Sequence, residues 1–353
     1  MKKVLKILLI LVLVIVLGVG GLLGWLTATE FDPASIEAAD VVRTGDVDMI
    51  KPGETLKVLS WNVGYAGLGK AEDFFMDGGT RSKPDSRDTV QHYLGGISAS
   101  IEETGADLVL LQEVDINSSR TYSIDERGFL DGGMSCKSYA LNYSCPFVPV
   151  PVPPIGKVNS GLYTMTDDLQ IARAERHSLP CPFSWPLRIA NLKRCLLVNY
   201  LPIEGSNKQL VLVDLHLEAY DSGEGKIAQT RQLMGFLEDE YLKGNYVIAG
   251  GDFNQIFPGG LETYPNTHPE LWTPGLLEEE SLPEGFRYLF DLSVPSCRLL
   301  NQPYDPSDAV NTQYYVIDGF IVSPNVTVES VEGLDLGFEN SDHNPVLISV
   351  ALG

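Results

Sequence analysis

The sequence of 353 residues has few basic residues for its size, and this scarcity limits what it can bind. It contains 25 Lys and Arg against 47 Asp and Glu, which gives a formal net charge of −22. Lys2, Lys3 and Lys6 lie at the very start, so the other 22 basic residues against 47 acidic ones give −25. Over a Debye length of about 8 Å such a body repels a phosphate backbone. A general nucleic-acid binder is therefore not expected, although a local metal site could offset the repulsion.

Cysteine is also scarce, and no two cysteines form a CxxC pair, so a zinc site is not expected. Cys136 with Cys145, and Cys181 with Cys195, are close enough in sequence to form disulfides, while Cys297 is left over. Buried free thiols explain the five cysteines equally well, and the sequence does not decide between the two.

Charge is absent altogether from Ile7 to Thr29, a run of 23 residues rich in Leu, Ile and Val. As a helix the run would be about 35 Å long, more than the roughly 30 Å of a bilayer's hydrocarbon core. Trp25 lies near its far end, where interfacial aromatic residues belong. The run predicts an uncleaved membrane anchor, because a signal sequence usually has a shorter apolar core and Leu26-Thr27-Ala28-Thr29 is a poor cleavage site. A cleaved signal sequence is the alternative.

Lysines before this run, and few basic residues just after it, predict a cytoplasmic N-terminus and a body outside the cytoplasm. Residues 30–55 are polar without a sustained period and predict a linker between the anchor (1–29) and one domain (56–353). No internal repeat and no further domain boundary is visible after residue 56.

From residue 56 onward, short apolar runs alternate with loops, a pattern typical of strands buried on at least one face. Two stretches predict helices: Ser86–Thr104, which begins with a candidate capping serine, and Lys226–Leu242, which has Ile227, Leu233, Met234, Leu237 and Leu242 at helical spacing. Few helices among many strands predict an α/β fold in which two sheets pack together with helices outside. The predicted strands are Leu56–Trp61, Asp107–Leu111, Leu196–Tyr200, Leu210–Leu215, Tyr246–Ala249, Tyr315–Val322 and Pro345–Val350.

Polar residues lie at the points where these strands begin or end. Each one alone is explained by a turn or by a structural hydrogen bond. Six such positions, which together supply carboxylates, amides and imidazoles, predict a single catalytic site. They are Asn62, Glu113 after Gln112, His216, Asp252 and Asn254 in Gly-Gly-Asp-Phe-Asn, Asp318, and Asp342 with His343 in Ser-Asp-His-Asn-Pro.

In this order the stretches Ser-Trp-Asn62, Leu-Leu-Gln-Glu113, His216-Leu, Gly-Gly-Asp252-Phe-Asn254, Ile-Asp318 and Ser-Asp342-His343-Asn-Pro resemble the successive motifs of the endonuclease/exonuclease/phosphatase superfamily. That superfamily includes DNase I, abasic-site endonucleases, neutral sphingomyelinases and inositol-polyphosphate 5-phosphatases. The resemblance covers Leu56 to Gly353. It implies a four-layer αββα sandwich of the DNase I type, with the site where loops of the two sheets converge.

The resemblance also implies a metal site for Mg²⁺, with Mn²⁺ as an alternative. Glu113 is the best candidate ligand, and Asn62 and Asp342 complete or support the site. A hard cation prefers such oxygen ligands and keeps several waters, so one or two carboxylates suffice.

Five residues receive catalytic roles from the same resemblance. Asp252 would orient or deprotonate the attacking water, and Asn254 would hydrogen-bond a phosphoryl oxygen. His343 would contact the phosphate, with Asp318 fixing its tautomer. His216 would donate to another phosphate oxygen or to the leaving group.

Other residues around these motifs receive weaker predictions. Arg120, Lys193 and Arg194 could meet substrate anions, but a solvated surface is the expectation for each. The long loop Gly64–Pro84 either shapes a substrate cleft or is an insertion without contact to substrate.

Taken together, the sequence predicts a membrane-anchored, Mg²⁺-dependent phosphodiester hydrolase that acts outside the cytoplasm on a phospholipid head group or small phosphodiester. An extracytoplasmic nuclease for DNA or RNA is the alternative, but it would need a basic stripe that is not visible. A non-catalytic scaffold of the same fold is a minor alternative, and it would lack motif residues that are all present here. His216 stands where abasic-site enzymes carry Tyr-x-x-Asn, which disfavours DNA repair. No protein partner is predicted.

Overall fold

The structure of the protein is a computed structural model that describes residues 1–308 and 310–353. Its α-helices are α1 (Lys2–Ala28), α2 (Arg87–Thr104), α3 (Arg127–Leu130), α4 (Glu224–Leu242) and α5 (Gly260–Thr263). Short 3₁₀ turns cover Gly64–Ala66, Phe75–Asp77, Leu187–Ala190 and Glu279–Ser281. The strands are β1 (Ile36–Ala39), β2 (Val41–Arg43), β3 (Thr55–Asn62), β4 (Leu108–Asp115), β5 (Cys136–Val148), β6 (Gly156–Thr166), β7 (Arg173–Ser178), β8 (Cys195–Pro202), β9 (Gln209–His216), β10 (Tyr246–Asp252), β11 (Gln255–Ile256), β12 (Gly275–Leu276), β13 (Arg287–Leu289), β14 (Cys297–Arg298), β15 (Tyr314–Tyr315), β16 (Asp318–Val322), β17 (Val326–Gly333) and β18 (Val346–Leu352).

Most strands belong to two seven-stranded sheets. The first sheet has the order β1-β7-β8-β9-β10-β16-β13, and the second has the order β17-β18-β3-β4-β6-β5-β2. Within them, β9 is parallel to β10 and β3 is parallel to β4. Two small pairs, β11-β12 and β14-β15, lie outside the large sheets.

The two sheets pack face to face with helices on both outer faces. Val58 and Leu110 of one sheet share a buried core with Leu197 and Leu212 of the other. On the outer face of the first sheet, α4 packs against strands β9 and β10. On the outer face of the second, α2 packs against β3 and β4. This layering confirms the predicted four-layer αββα sandwich.

Helix α2 confirms the prediction for Ser86–Thr104 at both ends. The Ser86 hydroxyl accepts a hydrogen bond of 3.1 Å from the backbone N–H of Thr89, which caps the first turn. Gly105 ends the helix with φ +56°, a conformation that glycine adopts without a side-chain clash. Val90, Leu94, Ile97 and Ile101 form its buried stripe.

Helix α4 begins two residues before the predicted start and buries a different stripe. Leu233, Met234 and Leu237 are buried as the spacing predicts, but Ile227 and Leu242 are exposed. Polar residues complete the buried face, which periodicity of apolar residues could not indicate.

Two predictions about chain organisation are wrong. Residues 36–43 do not belong to a linker, because β1 pairs with β7 at the edge of one sheet and β2 pairs with β5 at the edge of the other. The run Tyr315–Val322 is not one strand, because β15 pairs with β14 whereas β16 joins the first sheet.

All five cysteines are free thiols in the structure, so neither of the possible disulfides is present.

Helix α1 contains the uncharged run up to Ala28 and is, among the described residues, long and apolar enough to cross a membrane. A membrane anchor and a signal sequence both satisfy that test. The last turns of the helix are in contact with the body, where Leu26 is buried and Leu22 packs beside it against Tyr143, Val158 and Ile189.

Candidate active site

The polar strand ends meet in one cleft of about 540 Å³ at one edge of the two sheets. Parallel pairing explains the convergence, because it places Asn62 beside Gln112 at the end of β3 and β4, and His216 beside Asp252 at the end of β9 and β10. Seven of the eight predicted site residues line the cleft, namely Asn62, Glu113, His216, Asp252, Asn254, Asp342 and His343. The eighth, Asp318, lies behind His343 and is bonded to it.

Asp252 is the centre of the hydrogen-bond network. Its Oδ2 accepts a hydrogen bond of 3.0 Å from the Asn62 side-chain amide, and its Oδ1 accepts one of 2.8 Å from the Asn254 backbone N–H. The Nε2 atoms of His216 and His343 lie 3.4 Å and 3.8 Å from Asp252 Oδ2. Burial, helped by repulsion from Asp318, raises the pKa of Asp252 to about 6. A carboxylate with such a pKa can exchange a proton near neutral pH.

The two glycines before Asp252 allow this placement. A Cβ atom on Gly251 would lie 1.9 Å from the backbone oxygen of Leu215 on the neighbouring strand. A Cβ on Gly250 would lie 2.4 Å from the ring of Phe320. Any larger residue at either position would therefore push β10 away from its neighbours and move Asp252.

His343 and Asp318 form a buried pair. His343 Nδ1 lies 2.8 Å from Asp318 Oδ2, and the same carboxylate oxygen accepts a 2.8 Å hydrogen bond from the Ser296 hydroxyl. Burial alone would lower the pKa of His343, but Asp318, Cys297 and Asp342 outweigh it and hold the pKa well above the usual value. This direction favours the imidazolium form of His343, whose Nε2 lies 3.8 Å from Asp252 Oδ2 in the cleft.

His216 has the opposite protonation state. Burial, together with the positive charges of Arg194, His343 and Arg120, holds the pKa of His216 well below its usual value. Its Nδ1 has no hydrogen-bond partner among the described residues. A neutral imidazole can donate a hydrogen bond from Nε2, but it cannot give a full proton to a leaving group.

Glu113 and Asp342 supply carboxylate oxygen atoms of the kind that a hard divalent cation prefers. Asn62 Oδ1 instead accepts a 3.0 Å hydrogen bond from the Gly64 N–H and its amide nitrogen faces the carboxylates, so Asn62 supports the site. Asn62 Nδ2 lies 3.5 Å from Glu113 Oε1, and burial raises the pKa of Glu113 and raises that of Asp342 to about 7. Buried carboxylates with few positive partners have raised pKa values of this kind. A bound cation would stabilise their charged forms. The residues present therefore fit a divalent metal.

Two tighter groups of possible ligand atoms occur in the described residues, Cys297 with Asp342 and His343, and Asp252 with Asp318 and His343. Both groups contain His343, whose Nδ1 is already bonded to Asp318. The structure thus explains these groups by the histidine–carboxylate pair, while Glu113 lies 4.0 Å from His216 Nε2 and outside both groups.

The backbone at Glu113 is strained. Its φ is +61°, in the left-handed region that costs a non-glycine residue about 1–2 kcal/mol. The pairing of β4 with β6 shifts register between Leu111 and Val114, so Glu113 lies in a bulge of the strand. Bulges commonly redirect a side chain next to an active site, and here the bulged side chain lines the cleft.

Two arginines contradict the expectation of a solvated surface. Arg194 is 3% exposed, lines the cleft, and its Nε and Nη1 have no hydrogen-bond partner among the described residues. Glu218 is 3.8 Å from Nε, too far for a hydrogen bond. Arg120 is buried as well, but it is held by two 2.9 Å hydrogen bonds to Asp115 and stacks 3.6 Å from the Tyr65 ring centroid.

Lys193 is also largely buried, with 11% of its side chain exposed. Its ammonium group forms an ion pair with the Glu30 carboxylate at 2.9 Å. The direction of Arg194 follows from strand pairing. This residue immediately precedes β8, and β8 runs antiparallel to β9, so the start of β8 lies beside the end of β9 that carries His216.

Apolar residues form most of the remaining cleft wall. The loop Gly64–Pro84 contributes Phe74 and Met76, which supports the interpretation that this loop shapes the cleft. Strand β5 contributes its last residue, Val148, the proline-rich segment after it contributes Val150, and helix α1 contributes Leu23 and Leu26. The cleft therefore extends from the polar strand ends to the last turns of α1.

Asp77 adds one carboxylate that the sequence did not indicate. It is 6% exposed, and its Oδ1 accepts a 3.0 Å hydrogen bond from the Tyr220 hydroxyl. Burial raises the pKa of Asp77 to about 6.

The model of the Endonuclease/Exonuclease/phosphatase family matches residues 59–343 of the chain. Among solved structures, the chain is similar to an endonuclease/exonuclease/phosphatase from Beutenbergia cavernae, with 17% identity, a TM-score of 0.56, and 85% of this chain and 72% of that chain covered. It is also similar to the human Nocturnin catalytic domain with bound sulfate anion (15% identity, TM-score 0.51, 89% and 97% covered). A functionally unknown conserved protein from Enterococcus faecalis shows 16% identity and a TM-score of 0.51, with 84% and 100% covered. No curated protein matches the sequence.

Proposed function

Because the chain belongs to the Endonuclease/Exonuclease/phosphatase family, we propose that it is a membrane-anchored, Mg²⁺-dependent phosphodiester hydrolase. Its N-terminus lies in the cytoplasm and its catalytic body outside it. Its substrate is a phospholipid head group or a related small phosphodiester. The single observation that carries this proposal is a cleft that joins buried acid–base groups at one end to apolar walls and helix α1 at the other.

The proposed reaction assigns one role to each catalytic side chain. Asp252 takes a proton from the attacking water, and its pKa of about 6 suits a general base near neutral pH. The water oxygen bonds to phosphorus while the ester P–O bond breaks. The leaving oxygen takes a proton from the His343 imidazolium, which Asp318 holds in position. A neutral His216 and the Asn254 amide hydrogen-bond the other phosphoryl oxygens.

Glu113, supported by Asn62 and Asp342, is the proposed holder of the divalent cation. When bound, the cation neutralises charge on the phosphoryl oxygens. Mn²⁺ can replace Mg²⁺ in this proposal, because both are hard cations that accept oxygen ligands.

We assign Arg194 to anion recognition in the same cleft. A buried guanidinium with unused N–H groups is costly unless a bound anion satisfies it. Because Arg194 also lowers the pKa of His216, its charge acts directly on the cluster of catalytic groups. The substrate phosphate is the anion that the proposed reaction brings there.

The apolar wall favours a lipid over a nucleic acid. A nucleic-acid cleft presents basic side chains along a stripe, whereas here Phe74, Met76, Val148 and Leu23 line the route to the catalytic groups. The acidic body opposes DNA further. Cleavage of DNA or RNA outside the cytoplasm is therefore the less favoured function, and the assay below distinguishes it from lipid hydrolysis.

The test assays the full-length protein in phospholipid nanodiscs with Mg²⁺. The substrates are sphingomyelin, phosphatidylcholine, plasmid DNA, RNA and bis-p-nitrophenyl phosphate. We expect hydrolysis of a lipid phosphodiester and of bis-p-nitrophenyl phosphate. Cleavage of DNA or RNA without lipid hydrolysis would replace the proposed substrate with the nuclease alternative, and no hydrolysis of any substrate would overturn the enzymatic assignment.

Two variants tie any activity to this site. Asp252→Ala and His343→Ala are each expected to lower turnover at least about 10²-fold, the scale of losing a positioned base or a charged donor. Thermal unfolding of both variants should stay close to that of the wild type. Near wild-type hydrolysis in both variants would show that another site carries the activity.

A further inference from the structure

Four exposed apolar side chains lie in the two segments that line the cleft next to α1, and we call them the apolar rim. They are Val150 and Val152 in the proline-rich segment after β5, and Trp185 and Leu187 in the segment before β8. Their exposed fractions are 56%, 94%, 52% and 65%. Scattered exposed apolar residues need no explanation, but a group of this kind beside a cleft marks an interaction surface.

The rim is fixed to the end of α1 by direct contacts. The Trp185 indole donates a 3.1 Å hydrogen bond to the Thr27 hydroxyl. One turn beyond, Glu30 forms ion pairs with Lys193 at 2.9 Å and with Arg188 at 3.2 Å. Trp185, and with it the rim segment before β8, therefore lies at the same level along the helix axis as the last turn of the uncharged run.

The length of α1 places this level at a membrane surface. The body contacts the helix from Leu22 onward, so within the uncharged run only residues 7–21 are clear of it. Fifteen residues of helix rise about 22 Å, which is less than the roughly 30 Å of a hydrocarbon core. A bilayer that α1 spans must therefore include the helix turns that the body touches, and the rim beside them reaches the boundary of the acyl chains.

We propose that the apolar rim inserts into the bilayer that holds α1 and presses the mouth of the cleft against the membrane. The occupant of this surface is thus the lipid bilayer itself. Tryptophan and aliphatic side chains are favoured at this depth, and Val152 lies in the turn formed by residues 151–154. This inference rests on the proposed membrane anchoring, and it adds that a lipid enters the cleft directly from the membrane without passing through water.

Tryptophan fluorescence tests the rim in the full-length protein reconstituted in vesicles of phosphatidylcholine, with or without bromine atoms on the acyl chains. The contribution of each residue is the difference between the wild type and the Trp185→Phe or Trp25→Phe variant. We expect bromine to lower the Trp185 contribution about twofold or more, as for a side chain at the acyl-chain boundary. Trp25 on α1 reports anchoring alone.

The two tryptophans separate the possible failures. Quenching of Trp25 without quenching of Trp185 would overturn the inserted rim and leave the anchored hydrolase standing. A second copy of this chain covering the rim would give that same result. Absence of quenching at both positions would overturn the anchoring on which the proposed function also depends.

A charge substitution provides a functional readout. Val152 is almost fully exposed and is not part of the cleft wall, so Val152→Asp should fold normally. We expect it to lower hydrolysis of lipid in the bilayer about tenfold while hydrolysis of bis-p-nitrophenyl phosphate is unchanged. Leu242→Asp is the matched control, because Leu242 is 73% exposed at the end of α4 near the start of β10, away from the catalytic edge. Equal loss with both substrates, or equal loss in the control, would contradict the inserted rim.

Discussion

Asp252 and Asp318 lie directly opposite each other on the antiparallel strands β10 and β16, and each faces His343. Asp318 holds Nδ1 of the ring at 2.8 Å, while Asp252 lies 3.8 Å from Nε2. Asp318 thereby raises the pKa of both His343 and Asp252. One structural carboxylate thus sets the protonation of the proposed acid and of the proposed base.

We expect Asp318→Asn to move the whole pH–rate profile toward acid. The pKa of His343 falls without the carboxylate, so its imidazolium is lost at lower pH, and the pKa of Asp252 falls because the repulsion is gone. Above neutral pH, kcat/KM should fall about 10- to 100-fold, the usual effect of losing the partner of a functional histidine. Rates of bis-p-nitrophenyl phosphate hydrolysis at saturating Mg²⁺ between pH 5 and about 9 measure both the acidic and the alkaline limb of the pH–rate profile.

Asp291→Asn is the control for this variant, because Asp291 bonds Ser293 and Gly333 away from the cleft. It should leave the profile unchanged. A uniform loss at every pH in Asp318→Asn would indicate a merely structural role for Asp318.

Arg194→Met should lower kcat/KM about 10- to 100-fold, because a charge-assisted hydrogen bond to the substrate is lost. Arg194→Lys should recover only part of the activity, since an ammonium group lacks the planar arrangement of donors. Steady-state kinetics on bis-p-nitrophenyl phosphate give the values. Arg231→Met, at an exposed position on α4, is the control and should match the wild type. Wild-type kinetics in Arg194→Met would remove Arg194 from the proposed site.

Removal of divalent metal with EDTA should abolish hydrolysis, and Mg²⁺ or Mn²⁺ should restore it. Glu113→Gln should then raise the Mg²⁺ concentration for half-maximal activity about tenfold or more, because a charged oxygen ligand becomes neutral. The exposed Glu329, on the edge strand β17, provides the control Glu329→Gln. Activity that persists after the metal is stripped would contradict the role of Glu113.

Asp77→Asn should stabilise the fold above pH 6. The pKa of Asp77 in the folded protein, about 6, exceeds its ordinary value of 3.8, so the folded state binds the proton more tightly than the unfolded state. Its favourable contribution is complete below pH 3.8 and is lost as pH rises to about 6. At pH 7.5 the variant avoids this loss and should gain about 1–3 kcal/mol in unfolding free energy.

Urea titrations of the metal-free protein at pH 7.5 and pH 4 measure the difference for Asp77→Asn. The gain should shrink strongly at pH 4. The exposed Asp40→Asn variant should show no gain at either pH. A gain that is the same at both pH values would mean that the titration of Asp77 is not its cause.

The sequence predicted the two packed sheets with helices outside, and it indicated which strand ends meet at one edge. Asn62, His216 and Asp252 were recognisable because they end apolar runs, and ends of neighbouring parallel strands must meet at one edge. Arg194 was misjudged, since a basic residue next to Lys193 is usually solvated, and only the pairing of β8 with β9 shows its direction.

The missed elements share a physical cause, which is dependence on distant partners. Strands β1 and β2 are short and lie at sheet edges, so their sequences show no apolar alternation. The run Tyr315–Val322 is continuously apolar although its two parts pair with different strands. Contact between α1 and the cleft wall depends on side chains more than 100 residues away, such as Tyr143 and Ile189.

Strands β1 and β2 have only Asp40 between them, yet each extends a different sheet. Residues 29–35 are all that separate α1 from β1. In the proposed topology this short connection keeps the catalytic body close to the membrane, so the distance between the cleft and the lipid surface is constant. Turnover should consequently follow the mole fraction of substrate in the two-dimensional plane of the membrane, and dilution of the vesicles in buffer should leave the rate per enzyme molecule unchanged.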